Sequence, residues 1–230
     1  MADHKAHEAQ ETDPLVKAHK FWLKFQKPII AAAVTIAVVV GGWYGYENMV
    51  VKPKELRAED AIFKAQQYFS ADSLNLALNG DGINKGFLYV LKNYPGTKTA
   101  NLANYYAGVC YLRTGDFNKA IEYLKKFTTD AKQVQMMDYG CLGDAYSELQ
   151  QNETAVDYYK KAAAEFESDQ TNASEYLFRA ALLEETLGKN KEAIDLYKEI
   201  KDKFPKSQRA YIVDKYIYRL SVQPNDFSVK

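Results

Sequence analysis

The chain has 230 residues, with 30 Lys and Arg balanced by 30 Asp and Glu. That balance argues against a nucleic-acid binder, which needs a basic face to displace counterions. Two cysteines, Cys110 and Cys141, stand outside any C-x-x-C pair, and no histidine follows Glu47; a disulfide scaffold and a structural zinc site are both disfavoured.

Residues 1–27 read as a flexible leader. It holds all three histidines (His4, His7, His19) and five lysines. Between Lys27 and Glu47 lie nineteen residues without a formal charge, "PIIAAAVTIAVVVGGWYGY". At about 1.5 Å per residue such a helix covers roughly the 30 Å hydrocarbon core of a bilayer. Pro28 is expected at its first position, where a missing N–H costs nothing. Trp22 precedes the run and Trp43, Tyr44 and Tyr46 close it, as interfacial aromatics do. The leader is too long, the run exceeds a signal peptide's apolar core, and "GGWYGYEN" offers no small-x-small cleavage site. Residues 28–46 are therefore expected to be an uncleaved anchor helix. Lys17, Lys20, Lys24 and Lys27 on one side nearly match Lys52, Lys54, Arg57 and Lys64 on the other, so flanking charge does not orient it. Ala33, Ala37, Gly41 and Gly45 share one face. That spacing suits close contact with a second membrane helix, and it also fits the general abundance of Ala and Gly in such segments.

Residues 54–220 read as helix–turn–helix units. An upstream unit begins with "KELRAEDAIFKAQQYF", whose Ala58, Ala61, Ile62, Ala65 and Phe69 fall on one face. It continues through "SADSLNLALNGDG", expected to bulge out as a loop, to a second helix ending before Pro95. Asp81 between glycines lacks the other ligands of a calcium loop. Three clearer units follow: "NLANYYAGVCYLRTGDFNKAIEYLKKF", "MMDYGCLGDAYSELQQNETAVDYYKKAAAEF" and "SEYLFRAALLEETLGKNKEAIDLYKEIKDKFP". Their small residues stay in register: Gly108, Gly143 and Ala181 on the first helices, and Ala120, Ala155 and Ala193 on the second. Equivalent alanines lie 35 and then 38 positions apart. Small residues at both places let paired helices approach, and Tyr111, Tyr146, Tyr159 and Tyr197 fill the space between pairs. Gly115 is expected to break the first helix of its unit and Asp116 to cap the second. "SQRAYIVDKYIYRL", 207–220, is expected to be a helix capping the last pair, and 221–230 a frayed tail.

This pattern resembles the tetratricopeptide repeat (TPR). The fold class is thus expected to be all-α, a TPR solenoid of three to four helix pairs behind one transmembrane helix. No Ser-His-Asp or Cys-His arrangement can be built in the repeats, and no phosphate-binding glycine motif occurs. An enzyme is not expected, nor a cofactor, a metal site, a nucleic-acid partner or a small-molecule substrate. The TPR resemblance implies a groove lined by first helices that takes protein ligands. On the matching positions it would show Tyr105, Val109 and Arg113, then Asp144, Ser147 and Glu148, then Phe178, Leu182 and Glu185, unless some of these pack.

The layout, with "DSLNLALNGDG", "GFLYVLKNYPGTKTANLANYYAGVCYL" and "GDAYSELQQNETAVDYYKKAA", resembles the YfgM-like family of single-pass bacterial inner-membrane TPR proteins, in a Bacteroidota-type form. That resemblance covers about residues 20–220. It implies a cytoplasmic N-terminus and a periplasmic repeat domain. It also implies partners among SecYEG translocon subunits, periplasmic chaperones and exported polypeptides. The alternative from another class is a structural scaffold of a different envelope complex, for cell-wall synthesis, division or outer-membrane assembly.

Overall fold

The computed structural model describes residues 14–222. The first thirteen residues of the leader, with His4 and His7, and residues 223–230 of the tail lie outside them. The chain divides between Lys54 and Glu55 into two compact units.

In the first unit, helix α1 runs Pro14–Tyr46 and is followed by a π-helical turn, Glu47–Val51. The helix thus starts before Pro28, which lies inside it. Leu, Lys, Ala and Gln are strong helix formers and carry the helix back through residues 15–27. Pro14 takes the first position instead, and Pro28 deletes one internal hydrogen bond. No residue of α1 is buried. It is long and apolar enough to cross a membrane, and the hydroxyl of Thr35 in its apolar run donates to the Ala31 carbonyl at 2.9 Å.

Among its described residues the second unit is built of helices joined by turns and loops, with one isolated bridge, Gly80 to Lys85. Helix α2 is Lys52–Ser70, α3 Leu74–Asn79 and α4 Phe87–Asn93. Three helix pairs follow: α5 Lys98–Arg113 with α6 Phe117–Leu124, α7 Lys132–Glu148 with α8 Asn152–Glu165, and α9 Gln170–Thr186 with α10 Asn190–Lys203. Helix α11, Val213–Ser221, closes the array. Helices pack mainly on sequence neighbours, with α5 also touching α3 and α7. That near-neighbour pattern is the mark of a solenoid.

Close approach within each pair follows from the small residues. A Cβ on Gly108 would stand 2.5 Å from Leu124 Cγ, and one on Gly143 2.5 Å from Tyr159 Cδ1. Ala120, Ala155, Ala181 and Ala193 are fully buried. Gly143→Ala is therefore expected to destabilise the domain by about 1–3 kcal/mol through overpacking, read as a lower midpoint in urea. The first helix of each pair ends alike. Gly115, Gln150 and Gly188 have positive φ, and the next residue donates back to Tyr111, Tyr146 and Glu184 at 2.9 Å in each case, closing a Schellman turn. Gln150 holds the left-handed position at a steric cost that Gly115 and Gly188 avoid. Gln150→Gly is expected to raise stability by roughly 1 kcal/mol; an unchanged or lower unfolding midpoint would contradict that reading. Asp116 caps α6 by accepting from Lys119 N–H at 3.2 Å.

The upstream unit differs from expectation. "SADSLNLALNGDG" does not bulge out: it folds into α3, which buries Ala77 and Leu78 against Ala58, Ile62, Ala65, Phe87 and Val90. Asp81 fixes the following turn by accepting from Ile83 N–H, Asn84 N–H and Tyr68 Oη–H, the last at 2.7 Å. Glu55 of α2 caps α5 from a distance in sequence, accepting from Lys98 N–H, Thr99 N–H and the Thr99 hydroxyl at 2.6–2.8 Å. At the other end, 207–212 forms turns rather than helix. Ser207 accepts from Ala210 N–H through its hydroxyl, a local bond that competes with helix, and α11 starts only at Val213.

Two buried clusters result. One joins α2 to α5, ending at Ala107 and Cys110; the other runs from Ala120 and Leu124 of α6 to Val213. Tyr111 packs against both and stacks on Tyr123 at 5.4 Å.

Candidate partner-binding face

The nine groove positions lie on α5, α7 and α9, and the structure sorts them into three kinds. Tyr105, Val109 and Phe178 pack. Tyr105 is half-buried against Phe127, ring centroids 5.2 Å apart, and burial pushes its hydroxyl well above the usual tyrosine range. Val109 lies half-buried on the downstream core. Phe178 is only 3 % exposed; it contacts Tyr197 and Tyr216, and the Arg209 guanidinium sits 4.1 Å over its ring. The expectation that Phe178 lines an open groove is therefore corrected: the closing segment 207–221 covers the face of the last pair, so this position becomes core.

Three others are held by charge. Arg113 pairs with Asp72 at 2.7 Å. Asp144 accepts from Tyr159 Oη–H and from Arg179 Nη1, both at 2.7 Å. Glu185 accepts from Tyr197 Oη–H and Arg219. These contacts repeat: a second-helix tyrosine reaches an acid on its own first helix, and an arginine one repeat later reaches the same acid. Glu175 extends the ladder, accepting from Arg179 and from Arg209, the latter at 2.6 Å. Burial works to raise the Glu175 pKa, but the hydrogen bonds from Arg209 and Arg179 outweigh it and hold it below the ordinary value. Lys189 to Glu153 and Lys203 to Glu167 span a similar interval on or beside the second helices. The signal was present in the sequence as opposite charges 34 to 36 positions apart.

Ser147, Glu148 and Leu182 remain. Glu148 is exposed. Ser147 and Leu182 line a hollow of about 210 Å³ with Tyr159, Arg179, Leu183 and Thr186. Leu182, 37 % exposed, is the one large apolar side chain of the nine that stays open to solvent. The open part of the face is thus an apolar spot ringed by fixed charges. On α1, the Ala33, Ala37, Gly41 and Gly45 face is bare: a Cβ at Gly41 or Gly45 would meet nothing within 4 Å.

Sequence reading missed one group entirely. Asp138 of α7 is 1 % exposed. Its Oδ2 accepts a 3.2 Å bond from the Gln135 amide, while Oδ1 has no partner. Burial pushes its pKa up to about 7, against a small lowering by Gln135. Cys110 and Cys141 are pushed up to about 12 by burial, which leaves both thiols protonated and inert. Among the described residues no group of three or more His, Cys, Asp or Glu is placed to hold a metal ion.

Fold and face together define the class: the second unit is a TPR solenoid, a protein–protein interaction module. Tetratricopeptide repeat family models match residues 102–132 and 142–207. The chain is similar in fold to a protein solved as "Crystal structure of MamA protein", with a TM-score of 0.54 and 21% identity, covering 73% of this chain and 82% of that one. No curated protein matches it in sequence.

Proposed function

We propose that this protein is a membrane-anchored TPR adaptor of the bacterial inner membrane, with its N-terminus cytoplasmic and its repeats periplasmic. In this reading it is an accessory of the Sec translocon that links the channel to periplasmic chaperones or exported polypeptides. The observation that carries it is the union in one chain of a wholly exposed, membrane-length apolar helix and an interaction solenoid. Residues 28–46 hold residues 54–220 beside the channel exit, which raises the module's effective concentration there. The face around Ser147, Glu148 and Leu182 makes the transient contact, and the Ala33, Ala37, Gly41, Gly45 stripe docks the anchor against another membrane helix. Crosslinking in intact membranes should recover translocon subunits; recovery of cell-wall or division proteins alone would sink the idea.

A second reading, a scaffold for another envelope complex, is favoured by one feature. Phe178 is buried, and Asp144 and Glu185 are paired internally, leaving less open apolar surface than holding unfolded chains calls for. A holdase suppresses aggregation of an unfolded client at stoichiometric ratios; a scaffold does not.

A further inference from the structure

A second groove lies away from the first-helix face and shares none of its residues. It encloses about 830 Å³ between α4, the first turns of α5, and α6, in the size range of built ligand sites. Leu88, Leu91 and Tyr123 give it an apolar floor, and Lys92, Lys98 and Lys126 line it without any Asp or Glu.

The charge contrast with a hollow further along the second helices is informative. The hollow between α8 and α10 is lined by three lysines and three acids, and Lys203 bridges Glu167 and Glu199 at 3.0 Å each. That groove neutralises itself. In the α4–α6 groove the nearby acids are turned to other work. Glu55 caps the start of α5 through three hydrogen bonds, and Glu122 pairs with Lys126 from outside the lining. Lys92 forms no ion pair and Asn104, also in the lining, makes no side-chain hydrogen bond among the described residues. A half-buried amide of this kind suits the peptide units of an extended chain, since it offers both donors and an acceptor.

We propose that this groove is a docking site for an acidic peptide segment: an apolar side chain seats on Leu88, Leu91 and Tyr123 while flanking carboxylates meet Lys92 and Lys98. The first backbone N–H groups of α5 take no direct part, because Glu55 and the Thr97 hydroxyl already occupy them. Rim charges are screened by salt, so binding weakens as ionic strength rises.

The test uses the full chain in mild detergent and a labelled synthetic peptide in which glutamates flank a Leu–Tyr pair, read by fluorescence anisotropy. A matched peptide with lysines for the glutamates is the control. The acidic peptide should bind and the basic one should not. The double variant Lys92→Glu, Lys98→Glu should weaken binding about tenfold or more, with helical circular dichroism unchanged. Should that variant lose helicity, Lys92→Ala, which breaks no ion pair, should still weaken binding several-fold. Leu182→Glu should leave binding as it was. Equal binding of the two peptides, no binding at all, or loss through Leu182→Glu with no response to the lysine variants would each overturn the assignment.

Discussion

Phe178→Ala is expected to destabilise the repeat domain by about 3–5 kcal/mol, the range for truncating a buried aromatic. The ring is nearly inaccessible and touches three groups that belong to different elements: Tyr197 of α10, Tyr216 of α11 and the guanidinium of Arg209. Removing it opens a cavity where the last helix pair meets the closing segment. It also strips Arg209 of the surface on which it lies while it reaches Glu175. Leu182→Ala, one turn away on the same helix, should change stability far less, because its side chain is partly in water already. The two variants thus separate packing from recognition. Urea unfolding should show a large drop for Phe178→Ala and a small one for Leu182→Ala, while partner recovery should fall for Leu182→Ala in a protein that is still folded. Equal destabilisation by the two would contradict this partition.

Asp138 sets the second large expectation, a pH dependence of unusual sign. Its pKa in the folded protein, about 7, lies above its ordinary value of 3.8. The folded state therefore holds the proton more tightly than the unfolded one between those values. By linkage, this contribution to stability is fully present below about pH 4 and is lost as pH rises to about 7. The integrated effect is on the order of 4 kcal/mol. The groups around the carboxylate are Gln135 and Cys141 on its own helix, Tyr105 on α5 and Tyr158 on α8; none is a cation that could pay back the ionisation. Asp138→Asn removes the charge and keeps the shape. It should flatten the slope between pH 4 and 7 relative to the parent and raise stability at pH 8 by roughly 2–4 kcal/mol, measured by thermal unfolding across that range. A parallel pair of pH curves would show that Asp138 is not the group responsible.

The repeat architecture was legible because its signal is redundant. Gly108, Gly143 and Ala181 mark one register, Ala120, Ala155 and Ala193 a second, and Gly115 and Gly188 a third. Each has a single physical cause, close approach or positive φ. What escaped reading depends on tertiary cover. "LNLALN" is one and a half turns of helix, too short to show a period; only the packing of Ala77 and Leu78 makes it one. Phe178 occupies a groove position by count, but α11 lies over it. Asp144 and Glu185 count as groove positions in the sequence, and the arginines that hold them sit a whole repeat away. Asp138 had no signal at all in an amphipathic helix with a mixed face.

The division of the buried side chains has a consequence for how this array can be cut or extended. The seam between the two clusters does not fall between repeats. It runs through one: Ala100, Ala103, Ala107 and Cys110 of α5 belong upstream, while Ala120 and Leu124 of its partner α6 belong downstream. A truncation at the obvious boundary before Lys98 would keep every recognisable repeat and still strand the inner face of α5 in water. A graft of α5–α11 onto another scaffold would inherit the same naked stripe. The degenerate upstream unit is therefore not a dispensable vestige. The smallest portable fragment of this protein begins at Glu55, whose carboxylate already secures the first turn of α5.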